Sequence, residues 1–363
     1  MSERLVSLDA LRGVTIAGMV LVNDPGVGPP YLYRQLQHAP WNGWTFADTI
    51  FPCFLFMVGV SMGLASRPPA WSRVARRVVL LFALGLVVNA AGSVFAGSSA
   101  GSVLAHLRIM GVLQRIALAY LLAVMITMWW SPAKQPVIGA AILLAAWAAL
   151  AWVPVPGAGD GHLTAGHNLE GWIDRHVFGS AHLYRMGSVG YDPEGLFGCL
   201  PAAVSVLIGV AAGRRVRAGG HGLVAWLAGW GAVLGIAGWA WGQVLPINKR
   251  LWTSSYVLLM GGICLGLLAF AHLLFDRWAP PLGRPAAVLG ANAIVVYVAT
   301  ELTGTAMGTF HRGRVPVSYW LWATYLRPAF GGLNGAVAHA TLILAIWWVV
   351  AYGLYRRRWL LRV

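Results

Sequence analysis

Apolar runs of about twenty residues, the length at which a helix crosses the hydrocarbon core of a bilayer, recur along nearly the whole of this 363-residue chain. In hydrocarbon every backbone N–H and C=O must be satisfied within the chain, so such runs fold as a bundle of spanning helices. Mean hydropathy is +0.68, with 58% hydrophobic and only 10% charged residues. That balance leaves no stretch for a separate soluble domain, and residues 1–363 read as one all-α, polytopic transmembrane domain. Ten helices are expected near 8–24, 46–66, 75–95, 108–130, 134–153, 193–213, 222–244, 251–275, 284–306 and 333–355. The first has no small-residue cleavage site and reads as a retained helix, not a signal peptide.

Basic residues set the orientation, because cytoplasmic loops retain Lys and Arg. With the N-terminus inside, Arg4 and Arg12, the cluster Arg67 to Arg77, Lys134, Arg214 to Arg217, Arg277, Arg284 and the run Arg356 to Arg362 all fall on the inner face. Both termini of this multi-pass membrane protein are then expected to be cytoplasmic. The formal charge of +15 is explained by these short flanking loops beside anionic lipid, so no nucleic-acid partner is expected. Cys53, Cys199 and Cys264 lie far apart in sequence inside apolar helices and show no metal or disulfide pattern.

The outer face receives the longer loops, 24–46, 154–192 (the longest) and 307–332, and long ordered loops on one side commonly build a site. Polar residues near them are candidates, since ionisable groups at membrane depth are expensive. His38 leads. Asp48 stands three residues after Thr45, which reads equally as a capping-box carboxylate and as the group that fixes the His38 tautomer. Asn23 ends the first helix on the same side, with an amide suited to a developing oxyanion. Asp9 and Arg12 share its stripe and read most simply as an anchoring ion pair.

Trp41 and Trp44 read as interfacial anchors that could also stack on a sugar ring, with Asn42 between them. Asp192 looks like an N-cap with Pro193 at the first helical position, and Glu194 follows. Glu301 sits after an apolar run and needs a partner or a water-filled cavity. Asn292 lies half a turn away from it around the same helix. Gln114 with Arg115, and Asn248 with Lys249, complete the polar groups at helix mouths. Lys249 and Arg250 stand on the outer side against the orientation rule, so an anionic partner is expected for at least one.

Ser7-Leu8-Asp9-Ala10-Leu11-Arg12-Gly13, His38-Ala39-Pro40-Trp41-Asn42-Gly43-Trp44 with Asp48, Gly111-Val112-Leu113-Gln114-Arg115, Tyr191-Asp192-Pro193-Glu194-Gly195, Asn248-Lys249-Arg250-Leu251-Trp252 and Gly290-Ala291-Asn292-Ala293 through Tyr297 occur in this order. Together they resemble the heparan-α-glucosaminide N-acetyltransferase family and its bacterial relatives. The resemblance implies a transmembrane acyltransferase that moves acetyl from cytoplasmic acetyl-CoA to the amine of a glucosamine-type sugar across the membrane. It implies His38 as the active-site histidine with Asn23 beside it. Arg12, Gln114, Arg115 and Asn292 become candidates for the donor, and Trp41, Asn42, Trp44, Asp192, Glu194, Asn248, Lys249 and Glu301 for the acceptor. The family and the glycine-rich helices suggest a homodimer. Direct transfer and a covalent acetyl-histidine both remain open, and an amino-sugar transporter is the alternative from another class.

Overall fold

The computed structural model describes residues 6–157, 163–184 and 191–359. Arg4 and Arg362, and parts of the expected 154–192 loop, lie outside the described residues. The helices are α1 (Val6–Asn23), α2 (Phe46–Leu64), α3 (Trp71–Phe95), α4 (Ala100–Ala105), α5 (Val112–Trp129), α6 (Gln135–Trp152), α7 (Leu169–Phe178), α8 (Cys199–Ala218), α9 (Leu223–Trp241), α10 (Ser254–Ala271), α11 (Pro280–Ala291), α12 (Ala293–Thr309), α13 (Val317–Leu321), α14 (Arg327–Phe330) and α15 (Gly332–Arg356). A two-stranded hairpin, β1 (His311–Arg312) and β2 (Val315–Pro316), sits between α12 and α13. Among the described residues nine helices are long and apolar enough to cross a membrane, and the pair α11/α12 makes a tenth crossing if counted as one span. The chain is a multi-pass membrane protein.

That tenth crossing departs from expectation. A continuous helix was predicted over 284–306, but the chain bends by 69° between α11 and α12, at Asn292, whose ψ of 39° breaks the helical run. Irregular backbone is tolerated at membrane depth where it is buried or lines a cavity. Gly290, Ala291, Ala293 and Ile294 around the break do line one. A second difference is α8, which was expected to begin at Pro193 and instead begins at Cys199. Asp192 does not cap it, because its carboxylate is taken by Arg108 and by the Glu194 amide in a local turn.

Helices α2, α5, α8 and α10 make the centre, around Leu55, Ala117, Ala202, Val206 and Tyr256. Helices α3, α6, α9 and α15 surround them and expose Val79, Val137, Trp239 and Val349, as a lipid-facing layer should. The seam between α2 and α8 is one of the tightest in the bundle. A Cβ on Gly59 or Gly63 would run into the carbonyl oxygens of Val206 or Val210, and one on Gly209 or Gly213 into those of Phe56 or Val60. Small residues on both sides let the two backbones touch, which is how packing holds helices together where lipid removes the hydrophobic drive. The seam also brings α2 against α10, where Cys53 and Cys264 meet with their sulfurs 3.1 Å apart. Distance in sequence did not mean distance in space.

Candidate active site

Two polar assemblies occupy the end of the bundle that carries the long loops. The first is built on the start of α2. Asp48 is buried, and its Oδ2 accepts from the backbone amides of Thr45 (3.1 Å) and Ala39 (3.0 Å) and from Thr45 Oγ1 (3.2 Å). Its Oδ1 lies 2.8 Å from His38 Nδ1. The capping and orienting roles therefore coexist in one carboxylate. With Nδ1–H donating to Asp48, the lone pair of His38 is on Nε2, and the ring is 42% exposed toward solvent.

Lys249 completes this group. Its Nζ lies 3.2 Å from Nδ1 and 3.4 Å from Nε2 of His38 and 3.6 Å from Asp48 Oδ1. Burial pushes the ammonium below the usual lysine value, while Asp48 and Glu194 oppose the shift. A backbone clamp fixes the pairing of the two loops: Gly43 N donates to Ile247 O (2.7 Å), and Asn248 Nδ2 donates to Asn42 Oδ1 (3.1 Å). The Asn248 side chain also accepts from Leu251 N (3.0 Å). Trp252 then takes a positive φ of 47°, a strained conformation for a bulky residue. Dense packing holds it, with Phe51 at 5.0 Å, Tyr256 at 5.2 Å and the Arg115 guanidinium at 5.1 Å.

The second assembly ties the long outer loop to the bundle. Arg108 grips Asp192 with two hydrogen bonds (2.8 and 2.6 Å) and Glu194 with a third (2.5 Å). Arg115 donates to Glu170 Oε1 and Gly195 O, each at 2.9 Å. Burial pushes Asp174 up to about 6 and raises Glu170 well above the usual range, Arg115 opposing. Glu194 is also pushed up by burial, but Arg108, Arg115 and Lys249 more than reverse this and leave it below the usual value. Trp41 is not a simple lipid anchor. Its indole N–H donates to Leu163 O (2.6 Å) and its ring meets Tyr191 edge-on at 5.4 Å. Trp44 remains exposed, as an interfacial aromatic would. Arg250 donates to the Tyr191 hydroxyl, so it is Lys249 that meets the expected anion.

Breaking the deepest of these pairs has a readable cost. Arg115→Met leaves Glu170 and Gly195 O without their buried donor and lowers stability by about 3–5 kcal/mol, the range for removing one partner of a buried pair. Thermal unfolding of the purified protein in detergent checks it, and an unchanged midpoint would contradict the role given to Arg115.

From the opposite end of the bundle a cavity of about 380 Å³ enters between α1, α2, α3, α5 and the α11/α12 break. Asp9, Arg12, Ser61 and Arg77 line it, and it reaches Tyr297. Arg12 pairs with Asp9 (3.4 Å) and donates to Ser61 Oγ (2.9 Å). Arg77 stacks on Tyr120 at 4.5 Å, and its buried Nε has no hydrogen-bond partner among the described residues. Of the four residues expected at a donor, Arg12 lies on this wall, and Asn292 sits in the break whose neighbours line it. Gln114 is buried near Gly85 and Asn89, and Arg115 is held by Glu170 in the other assembly. Asn23 donates to Glu301 Oε1 at 2.6 Å, so the structure gives Glu301 its partner and brings Asn23 to α12.

Arg77, Arg108 and Glu170 were not singled out as site residues. Arg108 pairs with Asp192 and Glu194, and Glu170 with Arg115, each far off in sequence, so no local spacing announced them. The chance to find Arg77 lay in its place within the inner basic cluster.

This geometry can be set beside known proteins. Residues 4–234 match the family model described as heparan-alpha-glucosaminide N-acetyltransferase, catalytic. The chain belongs to this family. It is similar to the heparan-alpha-glucosaminide N-acetyltransferase of Homo sapiens, 29% identical over 358 residues, covering 82% of this chain and 53% of the relative. The Mus musculus enzyme of the same name is 28% identical over 360 residues, covering 83% and 54%. The chain thus spans about half the length of these relatives. The match to the N-acetyltransferase family model includes His38, Asp48, Arg108, Arg115 and Glu194, and ends before Lys249 and Glu301.

Proposed function

We propose that this chain is a transmembrane acetyltransferase that takes acetyl from cytoplasmic acetyl-CoA and delivers it to the amine of a glucosamine-type sugar on the periplasmic side. The observation that carries this reading is the pairing of two features at opposite ends of one bundle. One is a cavity with Arg12 and Arg77 at its entrance, and the other is His38, oriented by Asp48 and exposed. Membership of the N-acetyltransferase family supports it. In this reading both termini face the cytoplasm, with the basic clusters that follow the even-numbered crossings, in a bacterial inner membrane, and the protein works as a homodimer.

The donor's phosphates meet Arg12 and Arg77, two cations suited to phosphate oxygens, while its thin arm follows the cavity toward Tyr297. The acceptor amine attacks the thioester carbon as His38 Nε2 takes its proton. A C–N bond forms, the C–S bond breaks, and the thiolate leaves with the proton that His38 returns. Asn23 uses one amide N–H for Glu301, and the other is left for the oxyanion. Lys249 beside the ring adds positive charge to the same locale.

The test uses purified protein in sealed vesicles, with radiolabelled acetyl-CoA on one side and glucosamine on the other. Labelled N-acetylglucosamine should accumulate on the acceptor's side, and its absence in every orientation would overturn the reading. Replacing Arg12 or Arg77 by Gln should raise KM for acetyl-CoA about tenfold, the equivalent of 1.4 kcal/mol, with little change in KM for the acceptor. Donor titrations read this directly. A transporter would be expected to show matched broken helices in its two halves, whereas one bent pair occurs among the described residues.

A further inference from the structure

A second cavity, of about 570 Å³, opens at the His38 end between the residues that follow α1, α12, the β-hairpin segment and the start of α15. Its volume lies in the range of small-molecule sites, about 300–1,000 Å³. Asn23, Asp24, Tyr319 and His339 line it. Asp24 is only 5% exposed and His339 only 2%. His339 donates Nδ1–H to the Asp24 carbonyl (2.8 Å), which fixes the tautomer and leaves Nε2 as an acceptor. Neither His339 Nε2 nor Asp24 Oδ2 has a hydrogen-bond partner among the described residues. The wall therefore holds two buried acceptors in want of donors, and such atoms are rarely left unpaired.

The charge points the same way. Burial raises Asp24 to about 7, and Glu301 adds to the shift, with no cation opposing it among the described residues. A ligand that brings several N–H donors and a positive charge satisfies all of this at once, and an ammonium brings three donors. Position matters too. Glu301 follows Tyr297 by one helical turn on α12, and Tyr297 lines the donor cavity. The Glu301 carboxylate is held by Asn23, which lines this second cavity. The Asn23–Glu301 pair thus ties the second cavity to the helix whose Tyr297 lines the first.

We propose that the Asp24–His339 cavity is a recruitment subsite for the acceptor, taking the protonated amine of an amino sugar between Asp24 Oδ2 and His339 Nε2. The proposal rests on the acetyltransferase reading for the identity of the sugar. An ammonium is not a nucleophile, so the subsite captures the abundant charged form at the same end of the bundle as the His38 ring that must later take its proton.

The test measures binding by calorimetry to the full chain in lipid nanodiscs without any acetyl donor, using D-glucosamine and D-glucose as probes. Wild-type protein should bind glucosamine at least tenfold more tightly than glucose. Asp24→Asn, nearly isosteric at an atom with no partner, should remove that preference. Gly308 also lines the cavity, and a Cβ there would meet nothing within 4 Å, so Gly308→Leu should weaken glucosamine at least tenfold by filling the space. Equal binding of the two sugars by wild type, or unchanged glucosamine binding by Asp24→Asn, would overturn the proposal. Because no donor is present, a chain that binds glucosamine through Asp24 yet never acetylates it refutes the function and keeps the subsite. Acetylation that ignores Asp24→Asn does the reverse.

Discussion

His38→Ala should lower the rate of acetyl transfer by about 10²–10⁴, the range for removing a positioned general base, while leaving the protein folded. The ring is 42% exposed, so its removal opens no core cavity. Asp48 loses one partner but keeps the backbone amides of Ala39 and Thr45, and α2 still has its capping carboxylate. Size-exclusion behaviour and thermal midpoint should match wild type, and acetylated product should nearly vanish. Retention of a tenth or more of the wild-type rate would remove His38 from the chemistry. Acetyl-labelled wild-type protein in the absence of acceptor, missing from the variant, would favour the covalent route over direct transfer.

The largest structural effect is expected at the α2/α8 seam. Gly209→Val places a branched side chain where the Phe56 carbonyl already lies, and neither backbone can give way without parting two helices that hold the centre of the bundle. The loss should exceed about 4–5 kcal/mol, the threshold above which single substitutions are exceptional, and folded protein should not be recovered from the membrane. Gly229→Val on α9 is the control, since a Cβ there would meet nothing within 4 Å. Normal yield of Gly209→Val would show that the seam is looser than described.

The crossings were legible because a lipid-spanning helix needs an apolar run of fixed length, and composition alone reports that. Asp48 was legible too, since its two readings both depend on three-residue spacing from Thr45. What could not be read was which distant polar group answers which. Asp192 was expected to cap a helix, and Arg108, 84 residues away, claims its carboxylate instead. Arg115 was expected at the donor, and Glu170 holds it at the other end of the bundle. Such pairings follow from how loops fold back over the helices, which no local pattern encodes. Glu301 shows the middle case: the need for a partner was plain from its surroundings, and the partner, Asn23, was not.

Carbonyl-to-glycine contact along α2 and α8 has a bearing on how the molecule moves. Two rods fitted this tightly translate together or not at all, so His38, carried just ahead of the first turn of α2, rides on a stationary frame. Widening of the cavity that α1, α2, α3 and α5 share is then expected on its α12 side, where the bend at Asn292 already interrupts the ladder of hydrogen bonds.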